Sequence, residues 1–196
     1  MKSITPSIIV TAASLALLMG LPQVQASADD PLIEEAKGLM QKFSSTLQTE
    51  LKAAIERGGP VEAIGVCEQR APEIAAELSA ASGWEIGRVS LKPRNVELGT
   101  PDEWETAVLK DFEQRLAAGK PVETLVRAET VKSDAGDTFR LMKAAPTKDV
   151  CLACHGSAIT EPVAQALTEH YPDDQARGYA LGQIRGAFSL AKPLVK

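Results

Sequence analysis

The chain is short of aromatics, which make up 4% of it, and holds only two histidines and three cysteines. Basic residues do not exceed acidic ones (net charge −5), and no basic stripe interleaves with aromatics, which excludes a nucleic-acid surface. No apolar run reaches the roughly 20 residues of a membrane-spanning helix; the longest, Ile8 to Leu18, falls well short. No second histidine, paired carboxylates or substrate motif clusters around the one chemically suggestive segment, so the chain is not expected to be an enzyme. Internal repeats and low-complexity linkers are absent as well.

What is present begins with a leader. Lys2 supplies a positive start, Ile8 to Leu18 an apolar stretch, and Val24-Gln25-Ala26 the small residues at which a signal peptidase cuts. Cleavage after Ala26 leaves residues 27–196 as a single domain in the periplasm, one charge more acidic once Lys2 is gone. An odd number of cysteines in an oxidising compartment leaves one thiol that is reactive, paired between chains or otherwise occupied. Cys151 and Cys154 are neighbours, and Cys67 stands apart.

Leu32, Ala36, Leu39, Met40, Phe43, Leu47, Leu51 and Ile55 recur at helical spacing and predict a helix over 31–57. Asp30 caps its start, Pro31 suits its first turn, and Gly58-Gly59-Pro60 ends it. Residues 61–81 read as further helix in two pieces, broken at Pro72, with Ile64, Cys67, Ala71, Ile74 and Leu78 on one face. A strand over Ile86–Leu91, a loop over Pro93–Pro101 and a helix over Asp102–Ala118 follow. Val122–Lys132 and Asp137–Ala145 read as strands joined by the turn Ser133-Asp134-Ala135-Gly136. A short helix over Glu161–His170 and a closing strand over Ile184–Val195 complete an α+β reading: helices first, then a mainly antiparallel sheet with helices inserted.

The segment Cys151-Leu152-Ala153-Cys154-His155 carries the chemistry. Cys-x-x-Cys-His is the attachment pattern of c-type haem: each thiol forms a thioether to a haem vinyl group, and the adjacent imidazole binds iron. The expected cofactor is one covalently attached haem c. Three other uses of the thiols stay open. A redox dithiol normally opens a helix after a parallel strand, whereas here the motif follows a hairpin. Cys67, Cys151, Cys154 and His155 make a Cys₃His zinc set, but Cys67 has no second ligand near it in sequence. A disulfide between Cys151 and Cys154 closes a small, strained loop. For the far side of the iron the candidates are Met40, Met142, His170, Cys67 or no ligand. No methionine follows His155, which departs from the small electron carriers with an early haem and a late methionine.

Further segments occur in order: Cys67-x-x-x-Ala71-Pro72-x-Ile74-Ala75, then Gly87-Arg88-Val89-Ser90-Leu91-Lys92-x-Arg94-Asn95, then Pro101-Asp102-Glu103-Trp104-Glu105. Cys151-Leu152-x-Cys154-His155-Gly156, Tyr171-Pro172-x-Asp174-x-Ala176-x-Gly178-Tyr179 and Gly186-Ala187-Phe188-Ser189 complete the set. Together they resemble the family of exported single-haem proteins with a PAS-like sensor fold, long known as a domain of unknown function. The resemblance runs from about residue 35 to the C-terminus and departs at Val96-Glu97-Leu98-Gly99, where Pro-x-Asn is expected. It implies a c-type haem on a PAS-like sheet, with iron held by His155 and by an upstream cysteine, Cys67.

The function expected from this is a redox or gas sensor, with a periplasmic single-haem electron carrier as the alternative. A helical-bundle gas-binding cytochrome is a third reading, although its motif sits nearer the chain end. A thiolate ligand favours ferric iron, so reduction weakens its hold and frees a position for a diatomic gas. The expected partners are that gas and a redox or signalling protein, with neither nucleic acid nor membrane. Arg88, Lys92, Arg94 and Arg185 are candidates to pair with haem propionates.

Overall fold

The computed structural model describes Val24–Gln25 and residues 30–194. The remainder of the expected leader, its apolar run included, lies outside the described residues. Strand β1 (Val24–Gln25) pairs with Thr130 and Glu129. It falls on the leader side of the expected cut, so the sheet of residues 27–196 is four-stranded.

Helix α1 (Pro31–Gly65) starts at Asp30, whose carboxylate accepts from the Leu32 N–H at 2.9 Å. It breaks where the sequence predicts. Gly58 leaves helical geometry and Gly59 takes φ +73°, after which Pro60 restarts the helix. The next turn, Val66–Arg70, is a π-turn, closed by the Ala71 N–H on the Val66 carbonyl, and it leads into α2 (Ala71–Ser82). Pro72 explains it. Proline has no N–H and its ring collides with the carbonyl four residues back, here Glu68; widening the turn by one residue relieves both problems. Cys67 sits in that widened turn. Gly83, at φ +71°, ends α2 in the left-handed conformation.

Strand β2 (Glu85–Val89) follows, then α3 (Val96–Gly99), a short helix capped by Asn95 inside the predicted loop. Helix α4 (Glu103–Ala117) opens with reciprocal caps: Asp102 accepts from the Glu105 N–H, and Glu105 accepts from that of Asp102. A single 3₁₀ turn (Val122–Thr124) precedes β3 (Val126–Val131), so the predicted strand starts late. Next come β4 (Thr138–Pro146), α5 (Asp149–His155), α6 (Glu161–His170) and β5 (Ile184–Pro193).

The sheet is antiparallel in the order β1-β3-β4-β5-β2, an α+β, PAS-like arrangement with N-terminal and inserted helices. Its alternating side chains serve two cores. Met142 and Ala144 of β4 pack toward α4 with Phe112 and Leu109, while Phe139 and Leu141 pack toward α1 with Met40 and Trp84. Leu141 is fully buried, and burial of that order contributes about 1.5–3 kcal/mol. A third cluster joins Phe43 and Leu47 of α1 to Ile74 and Leu78 of α2. A fourth seats Ile64, at the end of α1, against Val163, Leu167 and Tyr171 of the α6 region, with Cys154 at its edge. That last contact brings the cysteine-bearing turn to the Cys-x-x-Cys-His helix. Among the described residues no helix is long and apolar enough to cross a membrane.

Candidate haem site

Helix α5 holds Cys151, Cys154 and His155. The two sulfurs are one turn apart and so share a face, and all three residues are half-buried. Both thiols are free. Burial pushes the Cys154 thiol up, and the charge of Arg94 offsets part of that.

The imidazole is held from behind. His155 Nδ1 lies 2.8 Å from the Ala176 carbonyl oxygen, an acceptor, so the ring carries its proton on Nδ1 and keeps the Nε2 lone pair free. Burial, then the charges of Arg185 and Arg94, hold the His155 pKa down to about 3, which keeps the ring neutral. Arg185 Nε stands 3.0 Å from Nδ1 and 3.3 Å from Nε2. A donor so nearly equidistant from both nitrogens sits over the ring face, not in line with either lone pair. Tyr179 meets the ring edge-on, with centroids 6.3 Å apart.

The support for Ala176 runs through a buried ion pair. Asp174, its side chain 1% exposed, accepts from Arg94 Nε at 3.1 Å, from Arg177 Nε at 2.8 Å and from the Ala176 N–H at 2.8 Å. Arg94 Nη2 also donates to the carbonyls of Cys154 and Ala176. One arginine thus ties the end of α5 to the loop that aims His155. Backbone bonds from Gly178 to Gly156 and from Tyr179 to His155 run alongside. Burial pushes the Asp174 carboxyl up, but Arg177, the Ala176 N–H and Arg94 outweigh it and leave its pKa lowered.

Cys67, in the π-turn, lies within electrostatic range of Cys154, Tyr171 and Arg88. Arg88, on β2, stacks over Phe43 at 5.2 Å and makes no hydrogen bond among the described residues. It is solvent-accessible, yet desolvation pushes its pKa down, with Cys67 and Tyr171 opposing.

The other candidates fall elsewhere. Met40 and Met142 are buried in the two main cores, and His170 ends α6 with Nδ1 at 2.7 Å from Glu68 Oε2. Lys92 donates to the Arg177 carbonyl, Arg94 serves Asp174 and Arg185 donates to Ser90 Oγ, so among the described residues Arg88 is the one of the four cationic candidates without a hydrogen bond. Trp84 and Trp104 pack into or against the cores.

The donor set suits a macrocycle better than a single ion. Zinc requires four ligands about 2.0–2.3 Å from one point, and among the described residues no three His, Cys, Asp or Glu side chains gather that way. A haem instead needs two sulfurs at its edge and axial groups on opposite sides.

Sequence reasoning named Cys151, Cys154, His155 and Cys67 as candidates, without the residues that support them in the fold. Nothing in a sequence marks the Ala176 carbonyl, although Asp174-x-Ala176 lies in one of the segments that carry the family resemblance. Arg94 and Asp174 are 80 positions apart.

Fold and site define a PAS-like α+β domain that carries a Cys-x-x-Cys-His helix and a cysteine-bearing π-turn, linked through the cluster of Ile64, Leu167 and Cys154. The chain belongs to the Tll0287-like family, described as Tll0287, whose profile matches residues 25–193. It is similar in fold to the cyanobacterial heme-protein Tll0287, whose crystal structure superposes with a TM-score of 0.66 at 20% identity, covering 86% of this chain and 99% of that one. No curated protein matches the chain.

Proposed function

We propose that this chain is an exported c-type haem protein, a redox or gas sensor that is not an enzyme, with iron held by His155 and Cys67. The observation that carries the reading is the posture of His155. Its Nδ1–H is engaged by Ala176, which leaves Nε2 as the nitrogen with the lone pair, Arg185 Nε standing 3.3 Å from it, and it stands on the same helix as two free half-buried thiols. The heme-protein Tll0287 shares the fold, which supports the same cofactor here.

In this reading Cys151 and Cys154 carry the thioethers, and Arg88, which makes no hydrogen bond among the described residues, takes a propionate. Bound there, the haem supplies a one-electron redox centre and, with one axial position free, a site for a diatomic gas. Cys67 as thiolate brings negative charge that favours the oxidised state; on taking a proton it withdraws. The π-turn supports sensing over plain electron carriage, because such turns are frequent at functional sites and this one carries the proposed ligand.

The ferric absorption spectrum of Cys67→Ala tests this. Loss of the thiolate signature supports the reading, and an unchanged low-spin spectrum removes Cys67 from the iron. Carbon monoxide added to the reduced parent protein separates the two roles: binding supports a sensor, and refusal with unchanged ligation supports an electron carrier.

A further inference from the structure

Cys67 can serve as a ligand only if the π-turn holds its sulfur at the right distance from His155. The turn is tethered on both sides of that residue. Arg70 closes a bidentate pair with Glu50 of α1, at 2.8 and 2.9 Å, so one end follows the first helix. Glu68, next to Cys67, reaches the other way: its carboxylate lies 2.7 Å from His170 Nδ1 at the end of α6. Helix α6 follows the Cys-x-x-Cys-His helix directly, and packs on Ile64 just ahead of the turn.

We propose that Glu68 and His170 are positioning residues for Cys67. Their contact spans 102 positions of sequence and ties the turn that carries one axial ligand to the helix beside the other. Ile64 fixes where the helices touch. The Glu68–His170 contact, farther along, fixes how the turn is rotated about that point, and hence where the sulfur lies.

The inference rests on the ligation proposed above, so the test keeps the two apart. Ferric spectra and midpoint potentials are compared for the parent holoprotein and for His170→Ala, His170→Gln, Glu68→Ala and Cys67→Ala, and the alkylation rate of Cys67 for all but the last. Both residues are partly exposed, and a pair of that kind sets an expected rise in the released population of about 1.4- to fivefold. His170→Ala and Glu68→Ala should show that rise as faster alkylation, with an upward shift in potential, and His170→Gln, which keeps a donor, should restore both. Should either alanine variant fail to fold, the other supplies the same readout. If both match the parent while Cys67→Ala alters the spectrum, the tether is wrong and the ligation stands. If Cys67→Ala alters nothing, the ligation fails and the tether with it.

Discussion

Replacing Asp174 by alanine should cost this protein more than any other change to a surface-loop residue. Its carboxylate, 1% exposed, accepts from Arg94, Arg177 and the Ala176 N–H. Arg177 is 37% exposed and finds water once the carboxylate is gone. Arg94, at 9%, does not, and removing one partner of a buried pair costs about 3–5 kcal/mol. Arg94 keeps the carbonyls of Cys154 and Ala176, which places the expected loss near the lower end of that range. For a chain of this length the melting midpoint should fall by about 6–12 °C. Asp174→Asn keeps an acceptor for the Ala176 N–H and should lose only about 1–2 kcal/mol.

Acid supplies a second axis. The folded pKa of Asp174 is lowered, so its stabilisation is complete above the unfolded carboxylate value of about 3.9 and disappears as pH falls through the folded value. The gap between parent and Asp174→Asn should therefore be full at neutral pH and close in acid. Denaturant titration of the holoproteins checks both statements. A loss below about 1 kcal/mol for Asp174→Ala at neutral pH would refute the reasoning, because it would mean that Arg94 is not stranded.

Gly156→Ala should destabilise by about 1–3 kcal/mol, since a Cβ there meets the Leu152 carbonyl oxygen at 2.7 Å; a denaturant midpoint equal to the parent's would contradict this. Glu129, buried at 2%, accepts from Trp104 Nε1 and Arg127 Nε, both at 2.9 Å. Glu129→Ala should cost about 1–3 kcal/mol and change the fluorescence of Trp104, and an unaltered emission spectrum would count against that contact. Leu141→Ala, at a fully buried site between β4 and α1, should cost about 2–5 kcal/mol by the same titration.

Local signals carried most of the fold. Asp30-Pro31, Gly58-Gly59-Pro60 and Pro72 each act on the backbone within a turn of themselves, and the breaks fall there. Helix α6 matches its predicted span, and the Ser133–Gly136 turn joins β3 to β4. The misses have one cause. The short helix at Val96–Gly99 depends on Asn95 and on β2 beside it, and Val122–Thr124 turns before β3 can begin, neither of which shows in periodicity. At the site, Cys151, Cys154 and His155 were legible because their chemistry is compressed into five residues. The parts that orient them were not: a backbone carbonyl at Ala176, an arginine and an aspartate from distant loops, and a π-turn that Pro72 produces through sterics.

The most direct test of the account is the mass of the mature chain, taken together with its pyridine absorption spectrum, after export in a host that attaches haem to such motifs. The account predicts one haem per chain, retained under denaturing conditions, with the spectrum of a porphyrin joined by two thioethers. A colourless protein with the mass of the bare polypeptide would contradict it.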